Sequence, residues 1–397
     1  MSNLTGVIGS ISGLSGSVAS TSGLSGSLAS TSGLSGTITT DSVYPIATGV
    51  NITGTMEDGE VATGNYTYFD ADGDLEGVST FRWLSDDDGA GTGKAAIGGA
   101  TSQTYTIQVA DVGKYLYFEV TPVALTGYSP GVAVESAPSV QVVASMDADA
   151  LAIINAMTTP PNAARQALID AWVVAGKAHG WWTKLEFLQI YAAHAEDSAK
   201  LNWLNPGTFD ATPINIPTFT IDKGFSSALS SIYVRTGYTP SVNAINMTHE
   251  NCGIAMGVAT DIADGAKICG AYDGTQALQI LPKHLGVMRG TTMNTSGTAA
   301  SLASTNSIGH LGVFRNAGTQ EFYKNKTQDQ STDIAGGALV TQEIYALARN
   351  TSGTPSNGLT GELRYILASQ YLTQLEWGYF VDDMEAYLDA IGAGLIT

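Results

Sequence analysis

Residues 3–42 read NLTGVIGSIS, GLSGSVASTS, GLSGSLASTS and GLSGTITTDS, which are four copies of one ten-residue unit. A leucine recurs at one position of each copy, and a second aliphatic residue recurs four positions later. The apolar residues in phase are Leu4, Ile8, Leu14, Val18, Leu24, Leu28, Leu34 and Ile38. Because the unit has an even number of residues, a strand keeps all of them on one face, whereas a helix rotates each copy by about 80° from the last. The repeat therefore predicts extended β-structure.

A single strand of this kind cannot bury its own apolar face, because each unit is too short and too rich in Gly and Ser to enclose a core. No charged residue lies between Ser2 and Thr40, so like chains can lie side by side without repulsion. We expect residues 1–42 to form a homo-oligomeric stalk, or to add a strand to a larger assembly. A flexible Gly/Ser linker is the alternative, which the strict phase of the apolar residues disfavours.

The composition of the whole chain excludes several classes of protein. Among 397 residues, 17 are basic and 36 are acidic, and the basic residues form no cluster. Neutralising phosphates needs clustered Lys and Arg, so we expect no nucleic-acid partner. No run of 18 apolar residues occurs, so no membrane insertion is expected. The length suffices for two or three domains, and the low charged fraction suits a secreted or particle-borne protein.

Residues 43–145 show short alternating runs separated by Gly- and Asp-rich turns, which is the pattern of a β-sandwich. The segment Asp111–Tyr117, DVGKYLY, resembles the D-x-G-x-Y-x-C signature of immunoglobulin-type domains, with Tyr117 in place of the disulfide cysteine. The resemblance implies that Trp83 is the core tryptophan and that Tyr115 is a tyrosine corner with a structural role. We therefore expect an immunoglobulin-like domain without the disulfide.

The segment DADGDLE places four acidic side chains at alternate positions, Asp70, Asp72, Asp74 and Glu76. Closely spaced carboxylate oxygens are the ligands that calcium prefers. The segment resembles the first half of an EF-hand loop, but the glutamate at the twelfth position is missing. An ordinary acidic turn is therefore the favoured interpretation, so no cofactor is expected, and a calcium site is the alternative. A weaker acidic turn follows at residues 86–89.

Helical patterns replace the strands over residues 146–206, the predicted helical collar. Acidic residues open the first helix after Met146, and prolines at 160 and 161 separate it from a second that carries Leu168 and Trp172. A third helix is predicted from Thr183, with Leu185, Leu188 and Tyr191 on one face, and a short fourth with Leu201 and Leu204. Trp181 and Trp182 are interpreted as packing anchors, with glycan stacking as the alternative.

Residues 207–397 return to short antiparallel runs that fit a jelly roll of two sheets. The chain closes with a predicted amphipathic helix over 373–391, with Leu375, Tyr379, Met384, Tyr387 and Leu388 on its apolar face. The predicted fold class is thus mainly β: an extended Gly/Ser-rich N-terminal β repeat, an immunoglobulin-like β-sandwich, a small helical collar, and a jelly-roll β-sandwich with a C-terminal helix.

The order of elements from residue 146 onward resembles one known kind of module. A helical collar is followed by FTIDKGF (219–225), YVRTGYTP (233–240), a hairpin FYKNKT, strands ending ALARN and ILASQ, and a terminal helix. This order is similar to the collar and laminin-G or concanavalin-A-like jelly roll of structural proteins in tailed bacteriophages. The resemblance implies a virion protein on the outer particle surface, assembled in the host cytoplasm, homotrimeric by analogy with fibres, and bound to other virion proteins through its repeat.

No motif with its own chemistry was identified. The chain has no H-E-x-x-H and no P-loop. Glu343 and Glu362 are single acids on separate predicted strands, whereas jelly-roll glycoside hydrolases pair their carboxylates. Cys252 and Cys269 lie on predicted core strands, and two free buried thiols are favoured over a disulfide. We therefore expect a protein that is not an enzyme.

The sequence favours a tail fibre or adhesion protein that displays a lectin-like domain for host attachment. A head fibre or capsid decoration protein is the first alternative, and a carbohydrate-binding module without a structural role is the second. In the lectin-like branch of this fold, ligands bind at loops on the sheet rim. The candidate loops are residues 261–265, 273–274 and 316–318, and a host-surface glycan is the expected ligand.

Overall fold

The computed structural model describes residues 43–229, 231–265, 267–294, 299–303, 306–333 and 336–396, with the backbone alone for 329–333. The repeat predicted over residues 1–42, with its eight phased apolar side chains, lies outside the described residues. The chain divides into two compact units, the first ending at Ser145 and the second beginning at Met146. Both units are built mainly of β-strands, in agreement with the predicted fold class.

The first unit is an immunoglobulin-like β-sandwich of two antiparallel sheets. Its strands are β1 (Ile46–Thr53), β2 (Val61–Phe69), β3 (Thr80–Asp86), β4 (Ala95–Ala96), β5 (Thr104–Thr106), β6 (Tyr115–Thr121) and β7 (Val134–Glu135). One sheet has the order β1-β2-β5 and the other β4-β3-β6-β7. The turns that the Gly- and Asp-rich segments predicted therefore separate the strands, as expected.

The core of this sandwich follows from period-two alternation. On β6, Leu116, Phe118 and Val120 are fully buried in one core cluster, while Tyr117 is buried outside that cluster and Glu119 is half-buried. Trp83 on β3 is also fully buried, and its ring centroid lies 5.2 Å from that of Phe118. A Cβ atom at Gly64 would lie 2.3 Å from the Phe118 ring, so the close approach of β2 to this ring requires glycine.

The described residues of the second unit form three sheets. Its strands are β8 (Leu185–Ile190), β9 (Thr212–Ile214), β10 (Thr218–Thr220), β11 (Gly224–Ser227), β12 (Tyr233–Arg235), β13 (Asn251–Val258), β14 (Cys269–Tyr272), β15 (Ala277–His284), β16 (Val287–Asn294), β17 (Ala300–Ala303), β18 (Gly309–Asn316), β19 (Thr319–Lys324), β20 (Thr327–Asp333), β21 (Tyr345–Ala346), β22 (Arg349–Thr351), β23 (Thr354–Ser356) and β24 (Gly361–Ser369). The largest sheet has the order β10-β11-β24-β13-β18-β19-β20, with β8 also paired to β24. The second has the order β17-β16-β15-β14-β22-β23, and a short third sheet the order β21-β12-β9.

Helices cover the outer face of the largest sheet. They are α1 (Ala148–Ala156), α2 (Ala163–Ala178) and α4 (Gln374–Ala390), while α3 (Pro240–Asn243) is a single turn elsewhere. Asp147 and Asn162 cap α1 and α2 through side-chain oxygens that accept backbone N–H groups. Thr373 and Glu376 form a reciprocal capping box at the start of α4, which confirms the predicted terminal helix.

Along the strands of the largest sheet, alternate side chains therefore pack into two different cores, one on each face of the sheet. On β24, Ile366 and Ala368 pack into the core between the sheets, whereas Tyr365 and Leu367 pack under the helices. A strand that is buried on both faces is apolar at nearly every position. This arrangement produces three layers, with helices, the largest sheet and the second sheet in that order.

The predicted third and fourth helices are wrong. Residues 185–190 form β8, which pairs antiparallel with β24 and is buried at every position. Phe187 packs into the core between the sheets, and Leu188 packs into the core under the helices. Because both faces of this strand are buried, apolar and polar residues do not alternate along it, and the segment fits a helical period as well as an extended one. Leu201 and Leu204 lie in an irregular segment after a short turn of 3₁₀-helix over Ser198–Lys200.

Two further findings concern sequence features with functional meaning. No helix among the described residues is both long enough and apolar enough to span a bilayer. Cys252 on β13 and Cys269 on β14 belong to different sheets, and both are free and buried, as the favoured interpretation predicted. Burial raises the pKa of each thiol to about 12.

Candidate functional site

The acidic segment after β2 brings three of its four carboxylates together. One oxygen each from Asp70, Asp72 and Asp74 lie within 4.8 Å of one another. The turn forms because the Asp70 carboxylate accepts the Asp72 N–H at 2.9 Å, and because Gly73 adopts a φ of 85°. Asp70 is buried, Asp74 is half-buried and Asp72 is exposed, so the cluster opens to solvent on one side.

The fourth predicted ligand, Glu76, is directed to other partners. Its Oε1 accepts the Tyr66 hydroxyl at 2.6 Å and the Ser79 hydroxyl at 2.5 Å. Burial and the hydrogen bond to Glu76 together raise the pKa of Tyr66 to about 12. Glu76 therefore connects β2 to the chain before β3, beside the three aspartates but outside the group that they form.

The two residues predicted from the immunoglobulin resemblance lie in the first sandwich. Trp83 is fully buried, and its Nε1–H donates to the Ser102 carbonyl at 3.0 Å. Tyr115 begins β6 and lies half-buried, with its ring next to Gly89. Its role as a tyrosine corner stays a prediction.

The loops proposed at the sheet rim use their carboxylates to hold the backbone. Asp261 accepts the Ser307 N–H at 2.9 Å and binds Lys283, and Asp264 accepts the Leu285 N–H at 2.6 Å. Asp273 likewise accepts N–H groups of residues 275, 276 and 341. These oxygens therefore already have intramolecular donors, and ligand binding at the rim loops stays a prediction.

The isolated acids of the second unit are paired with arginines. Glu343 binds Arg235 at 2.7 Å, and Glu362 forms an ion pair with Arg364. Residues 127–131, GYSPG, match the G-x-S-x-G pattern. They lie between β6 and β7, where the Ser129 hydroxyl accepts the Ala124 N–H at 3.1 Å, and no strand-to-helix turn surrounds them.

An open groove on the outer face of α4 was not predicted. It has a volume of about 390 Å³. Its lining residues are Gln374, Leu375, Gly378, Tyr379 and Asp382 from α4, together with Lys326 from the β19–β20 hairpin. A Cβ atom at Gly378 would meet nothing within 4 Å, so the absent side chain deepens the middle of the groove.

The Tyr379 ring packs against a histidine ring that is itself held by a carboxylate. It stacks on the His179 ring with 4.3 Å between centroids and 11° between planes. His179 Nδ1 lies 2.7 Å from Oδ2 of Asp383, and the Trp181 Nε1–H donates to the same oxygen at 2.8 Å. A ring fixed in this way loses little side-chain freedom when a ligand stacks on it.

Charged and apolar groups meet at the rim of the groove. Lys326 and Asp382 form an ion pair whose side chains are more than half exposed. Leu375 is 64% exposed and Tyr379 is 36% exposed. An exposed aromatic ring beside paired charges and an amide can contact the C–H face of a sugar and bind its hydroxyl groups.

The sequence contained one signal for this groove, and we misinterpreted it. Leu375 and Tyr379 are four residues apart, and we expected them on the buried face of the helix. The buried stripe instead consists of Trp377, Phe380, Val381, Met384, Tyr387 and Leu388. Trp181 and Trp182, the alternative glycan-stacking pair, are both buried.

Comparisons with known proteins bear on the first unit. The family model that matches describes the AIR9 A9 domain, of immunoglobulin type, and covers residues 47–134. This match agrees with the sandwich described above. A comparison with curated proteins gives no match.

Two solved structures illustrate the similarity to known folds. The botulinum neurotoxin serotype D ligand binding domain in complex with N-acetylneuraminic acid is 11% identical, with 52% of this chain and 52% of that chain covered and a TM-score of 0.36. Domain 4 of AbnA, a GH43 extracellular arabinanase from Geobacillus stearothermophilus, in complex with arabinotriose, is 16% identical, with 49% and 99% covered and a TM-score of 0.32. The chain thus spans about half the length of the neurotoxin domain, and similarities this low carry no conclusion about function.

Proposed function

We propose that this chain is a structural protein of a bacteriophage particle, a tail fibre or adhesion protein that contacts a host-surface glycan through the groove on α4. The groove carries the proposal, because it combines a fixed, exposed aromatic ring with hydrogen-bonding groups at its rim. In this proposal residues 1–42 assemble the chain as a homotrimer and attach it to other virion proteins. The immunoglobulin-like unit acts as a spacer, and the chain is displayed on the outer particle surface after assembly in the host cytoplasm.

The size and chemistry of the groove support a saccharide ligand. A volume of about 390 Å³ accommodates one or two sugar rings. Tyr379 supplies a stacking surface, and Gln374, Lys326 and Asp382 supply donors and acceptors for hydroxyl groups. Because the groove is open and partly exposed, each site would bind weakly, and several copies on one particle would provide avidity.

Glycan arrays probed with the full chain test the binding step. We expect Tyr379→Ala to lower glycan binding at least tenfold, since it removes the stacking surface. Tyr379→Phe keeps the ring and should retain most of the binding. Tyr128→Ala is the matched control, because Tyr128 is an exposed tyrosine of the first unit. Absence of binding at millimolar sugar, or equal binding by Tyr379→Ala and the native chain, would refute a glycan site at this groove.

The assembly step needs a separate measurement. Sedimentation of the full chain and of a chain that lacks residues 1–42 should show a trimer that becomes a monomer after the deletion. A full chain that is already monomeric would contradict the fibre proposal and leave a carbohydrate-binding module without a structural role. Labelled antibody on intact particles distinguishes a tail fibre from a head fibre or capsid decoration protein.

A further inference from the structure

We infer that the outer face of the second sheet binds an oxyanion, a carboxylate, sulfate or phosphate group of a ligand, through Arg349 on β22 and Arg289 on β16. The outer face is the one that points away from the core between the sheets. It lies on the opposite side of the second unit from the helices, so the inference is independent of the groove on α4.

The pairing of the arginines in this chain identifies the face. The chain has seven arginines, and its acidic residues outnumber its basic ones by 36 to 17. Five arginines form ion pairs: Arg82 with Glu119, Arg165 with Asp222, Arg235 with Glu343, Arg315 with Glu250 and Arg364 with Glu362. Arg289 and Arg349 form no ion pair among the described residues. In so acidic a chain, two guanidinium groups on one face without a carboxylate partner favour an anionic ligand.

The strand register places Arg349 on the outer face. Cys269 and Ala271 of β14 pack into the core between the sheets, so Gly270 between them faces outward. Gly270 pairs with Arg349 on one side and with Gln279 of β15 on the other, and directly paired residues share a face. A Cβ atom at Gly270 would lie 2.2 Å from a backbone oxygen of β15, so this position requires glycine. The gap that it leaves lets Arg349 reach Gln279 across β14, over about 10 Å between Cα atoms.

Arg289 lies on the same face, two strands beyond β14. Its neighbour Gly290 faces the core, because a Cβ atom there would lie 2.5 Å from the Val313 side chain. Arg289 pairs with Leu281, two residues after the outward-facing Gln279 of β15. Three strand spacings and two residues therefore separate the two arginines, or about 16 Å between Cα atoms. Both side chains extend over the sheet between them, so an extended anionic ligand can contact both.

Neutral neighbours hold the Arg349 side chain in place. Its guanidinium lies over the Tyr272 ring, 5.2 Å from the centroid. Its Nε–H donates to the Thr351 hydroxyl at 3.0 Å, and Nη1 donates to Oε1 of Gln279 at 3.3 Å. A guanidinium has five N–H donors, so three remain without an acceptor among the described residues. Because the planar group is already oriented, an oxyanion can accept a pair of these donors at little cost in side-chain entropy.

The environment of Arg349 also leaves its charge uncompensated. Arg349 is half-buried, and this burial lowers its pKa, an effect that the Tyr272 side chain opposes in part. A partly desolvated cation without a counter-ion is unfavourable, because water has been removed and no opposite charge replaces it. A bound oxyanion would supply that charge.

The phosphorus NMR signal of inorganic phosphate, added to the full chain, tests the site. Ionic strength is held constant with sodium chloride, so that screening does not change during the titration. We expect saturable broadening of the signal with a Kd in the millimolar range. Sulfate and acetate should both reverse the broadening, because a guanidinium presents the same pair of donors to each of these anions. Chloride cannot accept in this paired geometry and should compete about tenfold less.

Substitutions of the two arginines localise the binding. Arg349→Gln should raise the Kd for phosphate about fivefold or more, and Arg349→Lys, which keeps the charge but not the planar fork, about threefold. Arg289→Gln removes a side chain without a hydrogen bond among the described residues, so it should raise the Kd about twofold and leave the melting temperature unchanged. Arg82→Gln is the matched control, because it changes the net charge equally in the first unit and should leave the Kd unchanged.

Three results would overturn the inference. Absence of saturable broadening would show that the face binds no oxyanion. Equal competition by chloride and sulfate, or equal weakening by Arg82→Gln and Arg349→Gln, would show an effect of general charge. Phosphate binding that is unchanged in both Arg349→Gln and Arg289→Gln would place the anion elsewhere on the chain.

Discussion

Glu186 on β8 is a buried carboxylate whose replacement should destabilise the second unit strongly. It is only 6% exposed, and its two oxygens accept four donors. Oε1 accepts the N–H groups of Asn246 and Met247 at 2.8 and 2.6 Å, and Oε2 accepts the Ile245 N–H at 2.8 Å and the Tyr238 hydroxyl at 3.3 Å. One side chain thus satisfies three successive backbone donors of the loop before β13.

Glu186→Gln keeps the shape but exchanges one acceptor oxygen for a donor NH₂ group. One or two of the backbone N–H groups then lose their acceptor and face another donor. Hydrogen bonds to a charged group contribute about 1.5–3 kcal/mol each, and an unsatisfied buried donor costs about 1–3 kcal/mol. We expect the free energy of unfolding of the second unit to fall by about 3–5 kcal/mol in total, because the terms overlap. This corresponds to a melting temperature lower by about 6–20 °C.

Urea unfolding followed by tryptophan fluorescence measures this change, and amide hydrogen exchange of residues 245–247 localises it. Glu196→Gln is the matched control, since Glu196 is half-exposed in an i,i+4 pair with Lys200 and should change stability by less than about 0.5 kcal/mol. A loss below about 1 kcal/mol for Glu186→Gln, with unchanged exchange at 245–247, would refute the role given to this carboxylate.

Three further outcomes follow from other contacts. Gly64→Ala should destabilise the first unit by about 1–3 kcal/mol in calorimetry, because its Cβ would meet the Phe118 ring; an unchanged melting temperature would contradict the packing. Burial alone would raise the pKa of Glu385, but hydrogen bonds from a buried histidine and two backbone N–H groups hold it below 4.5. Ionised Glu385 therefore contributes fully to the free energy of unfolding above pH 4.5, and this contribution is lost as the pH falls through the lower pKa of the folded state. Glu385→Gln lacks the titrating group, so it should flatten the acid limb of a curve of stability against pH. Cys252 and Cys269, with raised pKa values, should react with a thiol reagent at pH 8 only after unfolding, and rapid labelling of the native chain would contradict their burial.

The sequence determined the elements whose pattern is local. Alternation with a period of two identified the strands of the first unit, and Trp83 lies at their centre as the immunoglobulin signature implied. The terminal helix was predictable because Thr373 and Glu376 cap it and apolar residues follow at helical spacing. The acidic loop was predictable as well, since alternate aspartates in a turn lie near each other whatever surrounds them.

Tertiary structure alone decided which apolar residues are buried and which are not. Residues 185–190 form β8 because they pair with β24, which is remote in sequence. The two faces of β8 then pack into two different cores. Leu375 and Tyr379 stayed on the surface because other residues of α4 cover the sheet, and the hairpin with Lys326 then closes one side of the groove. The periodicity of a segment records its own conformational preference, but burial depends on neighbours that are remote in sequence, so the groove could appear only once the chain had folded.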